Sequence, residues 1–511
     1  MLDAVSIHGL ACPAPSRAPV AVVIGSGFGG LAAAVRLQAR GWRVTVLEAL
    51  DQPGGRARVH RQDGFTFDAG PTIVTAPFLL EELWALAGRR LADDITLKPL
   101  SPFYRLRFDD GSWFSMGASS AQTRAEIARL NPADLAGYDR FMALSAQTCR
   151  LGFEQLGFKP FSRFTDMIKV APGLLRLRAW RSVHAAARSC FQDERLRTAF
   201  SFHPLLIGGN PFSASAIYAL ISSLEHRWGV HWAMGGTGAL VSGLAGLLRG
   251  MGGTLRLNAP VAQILVQRGR AAGVLLESGE AVHADIVVSN ADVTHTYGKL
   301  LGQQPRRRWS DARLARARPS MSLFVWYFGT DRRYPAVDHH TILLGPRYRG
   351  LLDDIFRRRR LADDPSLYLH RPTATDPSLA PAGGDAFYVL APVPNLRAGI
   401  DWTTAAEPLR QAIQQRLEAT VLPGLGKHIV TSRLTTPLDF RDTLRSPDGA
   451  GFGLEPVLTQ SAWFRPHNAS EEVPGLYLVG AGTHPGAGLP GVLSSAKLLD
   501  QVIPHAHAYV A

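Results

Sequence analysis

Two glycine-rich stretches of this 511-residue chain have the spacing to hold a nucleotide, and both satisfy G-x-G-x-x-G. The first, Gly25-Ser26-Gly27-Phe28-Gly29-Gly30, follows the apolar run Val20 to Ile24 and opens the helix-forming stretch LAAAVRLQARG. In that setting Gly25 permits a sharp turn, Gly27 lets a pyrophosphate approach the backbone, and Gly30 allows close helix packing, with the anion seated on the helix N-terminus. Glu48 ends the next apolar run, Trp42 to Glu48, where an acid takes both ribose hydroxyls and disfavours a 2′-phosphate. Asp51-Gln-Pro53-Gly54-Gly55-Arg56 comes directly after it, adding backbone donors and a guanidinium near the phosphates. That continuation favours FAD over NAD.

The second stretch, Gly486-Ala-Gly488-Leu-Pro490-Gly491, carries a proline inside the pattern and has no strand immediately before it. Too little chain follows for a strand ending in an acid, so it cannot build another Rossmann unit. It can bring small, uncharged backbone against a flat ring, and Leu493 to Leu499 can begin a helix whose positive end faces that ring. Upstream, Leu476 to Val479 reads as a strand leading to Gly480-Ala-Gly482-Thr483, suited to the ribityl and phosphate portion of a flavin. Both glycine stretches are thus expected to serve one cofactor. With a single Rossmann unit, a tightly held nicotinamide is not expected, and oxygen or a membrane quinone is the expected electron acceptor.

The elements that must position these residues follow from hydrophobic pattern. Residues 20–48 read as strand, turn, helix, strand. A second strand-rich region, Gly253 to Asn258, Val261 to Val266, Gly273 to Glu277 and Ala284 to Ser289, has a hairpin signal at Gly279 and reads as the return of the first sheet. Residues from about 75 to 230 read as mainly helical. Further strands such as Ser322 to Phe328 and Ala386 to Leu390 predict a second sheet, the floor of a substrate chamber. The expected class is α/β: a Rossmann-type FAD-binding domain of the amine-oxidase-like kind assembled from 19–75, 230–295 and 470–511, a helical, membrane-facing region at 76–229, an interleaved mixed-sheet substrate domain at 296–469, and a flexible leader at 1–18. No sequence repeat is found.

Composition narrows the function classes. Hydrophobic residues at 46% with 19% charged are ordinary for a folded chain of two or three domains. The net charge of +13 is mostly scattered arginine, with local runs at Arg306 to Arg308 and Arg357 to Arg360. No recognition motif accompanies it, so weak attraction to anionic lipid is the expected use, not nucleic-acid binding. Cys12, Cys149 and Cys190 show no C-x-x-C spacing, which suggests neither a disulfide framework nor a zinc site and fits a reduced cytoplasm. Asp3 stands where a signal peptide needs positive charge. Thr198 to Leu224 is uncharged and long enough to span a bilayer, but Pro204, Gly208, Gly209, Asn210 and Pro211 interrupt it. An interrupted backbone is costly in lipid, so a buried loop plus a core helix is expected. Pro172 to Arg181 mixes leucines and Trp180 with Arg176, Arg178 and Arg181, the make-up of a helix lying in a lipid interface.

Over nearly the whole chain these residues resemble the bacterial-type phytoene desaturases, carotenoid enzymes of the amine-oxidase-like flavoproteins. The matching segments include GSGFGGLAAAVRLQARG, LEALDQPGGRARV, GFTFDAGPTIVT, FSFHPLLIGGNPF, GGTGALVSGL, SNADVTHTY, EPVLTQSAWFRPHN and LYLVGAGTHPGAGLPGVLSSAK. The resemblance implies an FAD-dependent enzyme, peripherally associated with the cytoplasmic side of the cell membrane, that converts 15-cis-phytoene through phytofluene and ζ-carotene to neurosporene or lycopene. Carried over by position, Gly25, Gly27, Gly30, Glu48, Gly55, Arg56, Val261, Gly482, Gly491 and Val492 would bind FAD, Val261 through its backbone beside the adenine. Asp68-Ala-Gly70-Pro71-Thr72 would lie near the flavin. Where the family often has a basic residue before Gly235-Gly236, this chain has Ala233-Met234.

Taking two hydrogens from an unactivated carbon pair requires a hydride acceptor and a place for a proton. Asp166, in a stretch that matches the family, is the candidate catalytic residue for the proton. His203, His231 and His484 are conceivable proton handlers that read first as structural, and His339-His340 lacks ligand-partner spacing, so no metal is expected. The competing readings are a later carotenoid desaturase, a carotene isomerase, an amine oxidase sharing the fold, and a prenyl-lipid carrier without redox chemistry.

Overall fold

The computed structural model describes residues 18–302 and 304–510. The expected leader, apart from Ala18, and Cys12 within it lie outside the described residues.

Val20–Ile24 is apolar at every position, the pattern of a strand covered on both faces. It is the centre of a five-stranded parallel sheet ordered 476–478, 286–289, 20–24, 43–47, 254–256. Alternate residues serve opposite faces. Ala21 and Val23 meet the helices Phe28–Ala39, Thr237–Gly250 and Leu489–Val502, while Val22 and Ile24 meet a three-stranded antiparallel sheet, Val261–Gln267, Arg270–Leu276 and Ala281–His283. The run Ala32-Ala33-Ala34 is fully buried and keeps the first helix slim enough for two others to approach it. Arg36, 2% exposed, joins Glu82 at 3.0 Å to Asp500 at 2.8 Å and so ties the two ends of the chain together.

This corrects one sequence expectation. Of the strands between 253 and 289, only Thr254–Arg256 and Ile286–Ser289 return to the first sheet. The others pair among themselves, with Gly279 at φ +89° in the turn, and form the second covering layer.

The second large sheet has seven strands, ordered 429–435, 322–330, 385–393, 367–370, 340–343, 104–107, 113–116. The strand next to one edge, Ser322–Thr330, is buried throughout. Phe324, Trp326 and Phe328 face the helix Trp402–Thr420, and Leu323, Val325 and Tyr327 face inward. Burying each such aromatic is worth about 2–3 kcal/mol, so period-2 alternation fixes which face looks inward. Two of the strands, Tyr104–Arg107 and Trp113–Met116, come from the region expected to be helical. At four residues each they carry too little alternation to stand out; His340–Leu343 pairs with the first, and the first pairs with the second.

The uncharged stretch 198–224 forms a 3-10 turn, His203–Ile207, closed by Gly208 at φ +79°, and then the start of the helix Leu220–Trp228. Among the described residues no helix is long and apolar enough to cross a membrane.

Candidate active site

One cavity of about 580 Å³ runs between the two large sheets. Its two ends are lined differently. At one end the wall is Gly25, Gly27, Phe28, Gly29, Glu48, Gly55, Arg56 and Val261; at the other it is Leu323, Val325, Tyr368, Tyr388, Leu390, Met167, Val170 and Leu224. Between them lie Gly70, Pro71 and Thr72 and the carboxy-terminal residues Gly480, Ala481, His484 and 487–492.

The glycine turn is held by contacts that exclude side chains. Gly25 has φ +87°, and a Cβ at Gly30 would stand 2.0 Å from the carbonyl oxygen of Gly25. Glu48 is buried and fixed: Oε2 accepts from the Ser26 amide at 2.8 Å and hydroxyl at 2.6 Å, and Oε1 from the Leu50 amide at 3.0 Å. The Gly54 amide donates to the Ser26 carbonyl at 3.1 Å, which draws the Pro53-Gly54-Gly55-Arg56 turn against the first glycines. Arg56 donates to Ser446 Oγ at 3.0 Å, and its Nε is buried without a partner. Burial pulls its guanidinium below the ordinary value, opposed by Asp292, whose own carboxyl burial pushes up.

These features fit FAD. The helices that begin after Gly27 and Gly488 both lack a side-chain cap, and both begin at the cavity wall, so their first amides are free to meet negative oxygen or an electron-rich ring edge. The orphaned Arg56 Nε supplies one more donor. Glu48 stands at the dinucleotide end, next to Val261 through the bond from the Ala259 amide to the Glu48 carbonyl at 2.8 Å.

Most of the residues expected to contact the cofactor line this cavity: Gly25, Gly27, Glu48, Gly55, Arg56, Gly70, Pro71, Thr72, Val261, Gly491 and Val492. Four candidates do not. Gly30 lies inside the turn. Gly482 packs behind the wall, where a Cβ would come within 2.7 Å of Val293, and Gly480 and Ala481 face the cavity in its place. Asp166 is not brought to the cavity. Its carboxylate accepts the Arg163 amide at 3.1 Å and caps the helix Phe164–Arg176, and its neighbour Met167 is the wall residue. Asp68, expected beside the flavin, docks on the helix Thr237–Gly250 by accepting the Thr237 and Gly238 amides at 2.8 and 3.1 Å. Burial pushes its carboxyl up to about 6. Gly236, at φ +80°, is required there because a Cβ would meet Asp68 Oδ2 at 2.2 Å.

Two wall residues were not singled out from the sequence, although Asn290 lies within the matching segment SNADVTHTY. Asn290 follows the strand Ile286–Ser289 and stands between the glycine stretches: a Cβ on Gly27 would lie 2.9 Å from its Nδ2, and one on Gly29 or Gly480 would lie 2.6 Å from its Oδ1. Glu225, in the helix Leu220–Trp228, is a buried carboxylate on the apolar wall. Oε1 accepts from the Tyr104 hydroxyl at 2.6 Å, and Oε2 lies 3.1 Å from Nε2 of His203.

Of the histidines weighed from the sequence, His484 lines the cavity with its Nε2 2.8 Å from the Leu156 carbonyl, and burial lowers it to about 4. His203 serves Glu225. His231 carries the bridge to Val74. The pair His339-His340 gains a third member, His370, from the adjacent strand, a neighbour that sequence spacing could not reveal; one ring nitrogen from each lies within 4.8 Å of the others. His340 and His370 stack at 5.1 Å with ring planes 20° apart, and the Nδ1 atoms of His339 and His340 bond to Thr375 and Tyr368 at 2.7 Å each. Three imidazoles are by themselves a donor set that could hold a metal ion, so the expectation that His339-His340 lacks a ligand partner is corrected by His370. Tyr368 and Tyr388 place their hydroxyls 3.1 and 2.9 Å from Thr72 Oγ1 and so connect the inner sheet face to the 70–72 segment.

On the side of the cavity away from the nucleotide end, the helix Phe164–Arg176 is a thin wall. Met167, Val170 and Leu174 line the cavity, while Phe164, Ile168 and Leu175 are 54, 59 and 60% exposed, as is Trp180 at 59%. The amphipathic segment expected at 172–181 therefore begins earlier, and its helix ends at Arg176 because Arg178 turns with φ +50°.

Residues 28–498 match the family described as flavin containing amine oxidoreductase. A neurosporene-forming phytoene desaturase of Cereibacter sphaeroides is 52% identical over 496 residues, covering 96% of both chains. A lycopene-forming phytoene desaturase of Pseudescherichia vulneris is 52% identical over 477 residues, 93% of this chain and 97% of its own. Among solved structures, a putrescine oxidase variant superposes with a TM-score of 0.64 at 15% identity, over 96% of this chain and 98% of that one, a likeness of fold.

Proposed function

This chain belongs to the flavin containing amine oxidoreductases, and on that premise we propose that it catalyses FAD-dependent desaturation of 15-cis-phytoene through phytofluene and ζ-carotene to neurosporene or lycopene. The observation that carries this reading is the continuity of one cavity from a dinucleotide cradle to an apolar chamber, in a chain half identical to phytoene desaturases over nearly its full length. Those relatives form different products at the same identity, so the stopping point is a matter of chamber shape.

Bound FAD supplies the hydride acceptor. The glycine turn and the amides after Gly27 would hold the diphosphate, and Glu48 would take the ribose. Arg56 offers its free Nε at the phosphates. The 70–72 and 487–492 segments would hold the ring, and the first turn after Gly488 would offer it free amides. Leu323, Val325 and Leu390 exclude water from the reacting carbons.

Substrate enters from the bilayer past the helix Phe164–Arg176. Its exposed Phe164, Ile168 and Leu175 insert among acyl chains while Lys169, Arg176 and Arg178 meet anionic headgroups. The enzyme is thus a peripheral protein of the cytoplasmic membrane face, and oxygen or a membrane quinone takes the electrons onward. The test is incubation of purified protein with phytoene in liposomes. New polyene absorption bands are expected; a geometric shift alone would indicate an isomerase, and no change with either acceptor would leave a carrier. Flotation with Ile168→Glu and Leu175→Glu is expected to lose vesicle binding, and unchanged flotation removes this helix from the entry route.

A further inference from the structure

A desaturation that sends hydride to one place must send a proton to another. Among the described residues three carboxylates line the cavity: Glu48, Asp292 and Glu225. Glu48 is committed to Ser26 and Leu50 at the dinucleotide end. Asp292 caps the turn after it by accepting the Thr294 amide at 2.8 Å and faces Arg56. Asp166 is a helix cap away from the wall. Glu225 alone stands on the apolar wall, between Leu224 and the residues that precede the 3-10 turn at 203–207.

We propose that Glu225 accepts the proton released from the substrate carbon, with Tyr104 and His203 as the positioning residues that aim it. The proposal rests on the phytoene reading above. A carboxylate has about four lone-pair sites, and Tyr104 and His203 occupy two of them, one on each oxygen, leaving the group oriented and still able to accept. As one substrate carbon gives up hydrogen with its electron pair, the adjacent C–H bond breaks, its electrons form the new C=C bond, and its proton forms an O–H bond on Glu225. Nothing else is consumed. The surroundings leave Glu225 as the receiver. Burial pushes the Tyr104 phenol up, and behind it stand His340, pulled well down by burial, and Tyr368, pushed up by burial. On the other side the helix Leu135–Cys149 presents Ser145, Thr148 and the Cys149 thiol, pushed up by burial. The Glu154–Arg227 pair and His226 lie toward solvent. His203 is fully enclosed, with its ring stacked on Phe202 at 4.3 Å.

The test compares wild type, Glu225→Gln, Glu225→Asp and Tyr104→Phe, each loaded with FAD in phytoene liposomes. Expected for Glu225→Gln is a fall of at least about a hundredfold in anaerobic flavin bleaching, with flavin content and flotation unchanged. Glu225→Asp is expected to recover part of the rate. Independently of turnover, infrared spectra of the protein without phytoene, titrated toward acid, are expected to contain a carboxylic-acid C=O band that is absent in Glu225→Gln and displaced in Tyr104→Phe. Bleaching in Glu225→Gln at the wild-type rate overturns the proposal and leaves the phytoene reading standing. A wild type that binds flavin and never bleaches with phytoene defeats that reading, and the proposal with it. Should Glu225→Gln fail to fold, an unmoved band in Tyr104→Phe together with an unchanged bleaching rate overturns it.

Discussion

The two ends of the cavity are built by opposite means. The dinucleotide end is mostly backbone: glycines that tolerate no Cβ, an uncapped helix start, and one acid immobilised by three donors. The chamber end is mostly side chain, with apolar residues from the inner sheet face and from several helical segments. Backbone geometry dictates residue type, whereas apolar contact dictates only size. The first end should therefore fail sharply on substitution and the second should change by degrees.

The largest effect is expected for Gly30→Ala. The new methyl would stand 2.0 Å from a main-chain oxygen, and overpacking of this kind costs about 3 kcal/mol or more, so purified protein should lose its yellow colour; retention of full flavin content would break the contrast. Glu48→Gln comes next. It keeps the shape and removes the charge that holds Ser26 and meets the ribose, which is worth about 1.5–3 kcal/mol, so fluorescence-quenching titration should show FAD binding roughly ten- to a hundredfold weaker. Leu390→Ala, at the other end, should leave flavin affinity within about twofold and lower stability by about 2 kcal/mol, while chromatography shows a changed ratio of carotenoid products. If it strips the flavin instead, the two ends are not separable.

A smaller effect comes from protonation. His484 is held at about 4 by burial, below its ordinary 6.5. The unfolded chain therefore binds the proton first as pH falls, and stability is full above about 6.5 and is lost toward 4. One such group contributes a slope of up to about 1.4 kcal/mol per pH unit in that window. Thermal denaturation of His484→Gln against wild type from pH 7 to pH 4.5 should show the shallower dependence in the variant.

Legibility followed the same division. Gly25, Gly27 and Glu48 were readable because a turn, a close approach and a ribose each demand one residue type at one spacing. Asn290 was not, since a lone asparagine after a strand has no periodic signature, although five glycines from two distant segments pack against it. Glu225 lies in a helix whose charge pattern looks ordinary, and Asp166 stood out because its stretch matches the family, whereas the structure uses its carboxylate to cap a helix start, a position that favours an acid for its own reasons. The strand at 104 needed a partner more than two hundred residues away, and the strand at 113 pairs only with the one at 104.

The parallel sheet acquires its edge strand from Leu476–Leu478, and the first helix acquires its partner from Leu489–Val502, sealed by Arg36 and Asp500. A chain emerging from the ribosome can therefore fold its amino-terminal turn early yet has no closed pocket until these last segments emerge. Coenzyme capture is consequently a late, all-or-none event in biosynthesis, and a nascent chain halted before Leu476 should leave the ribosome without pigment.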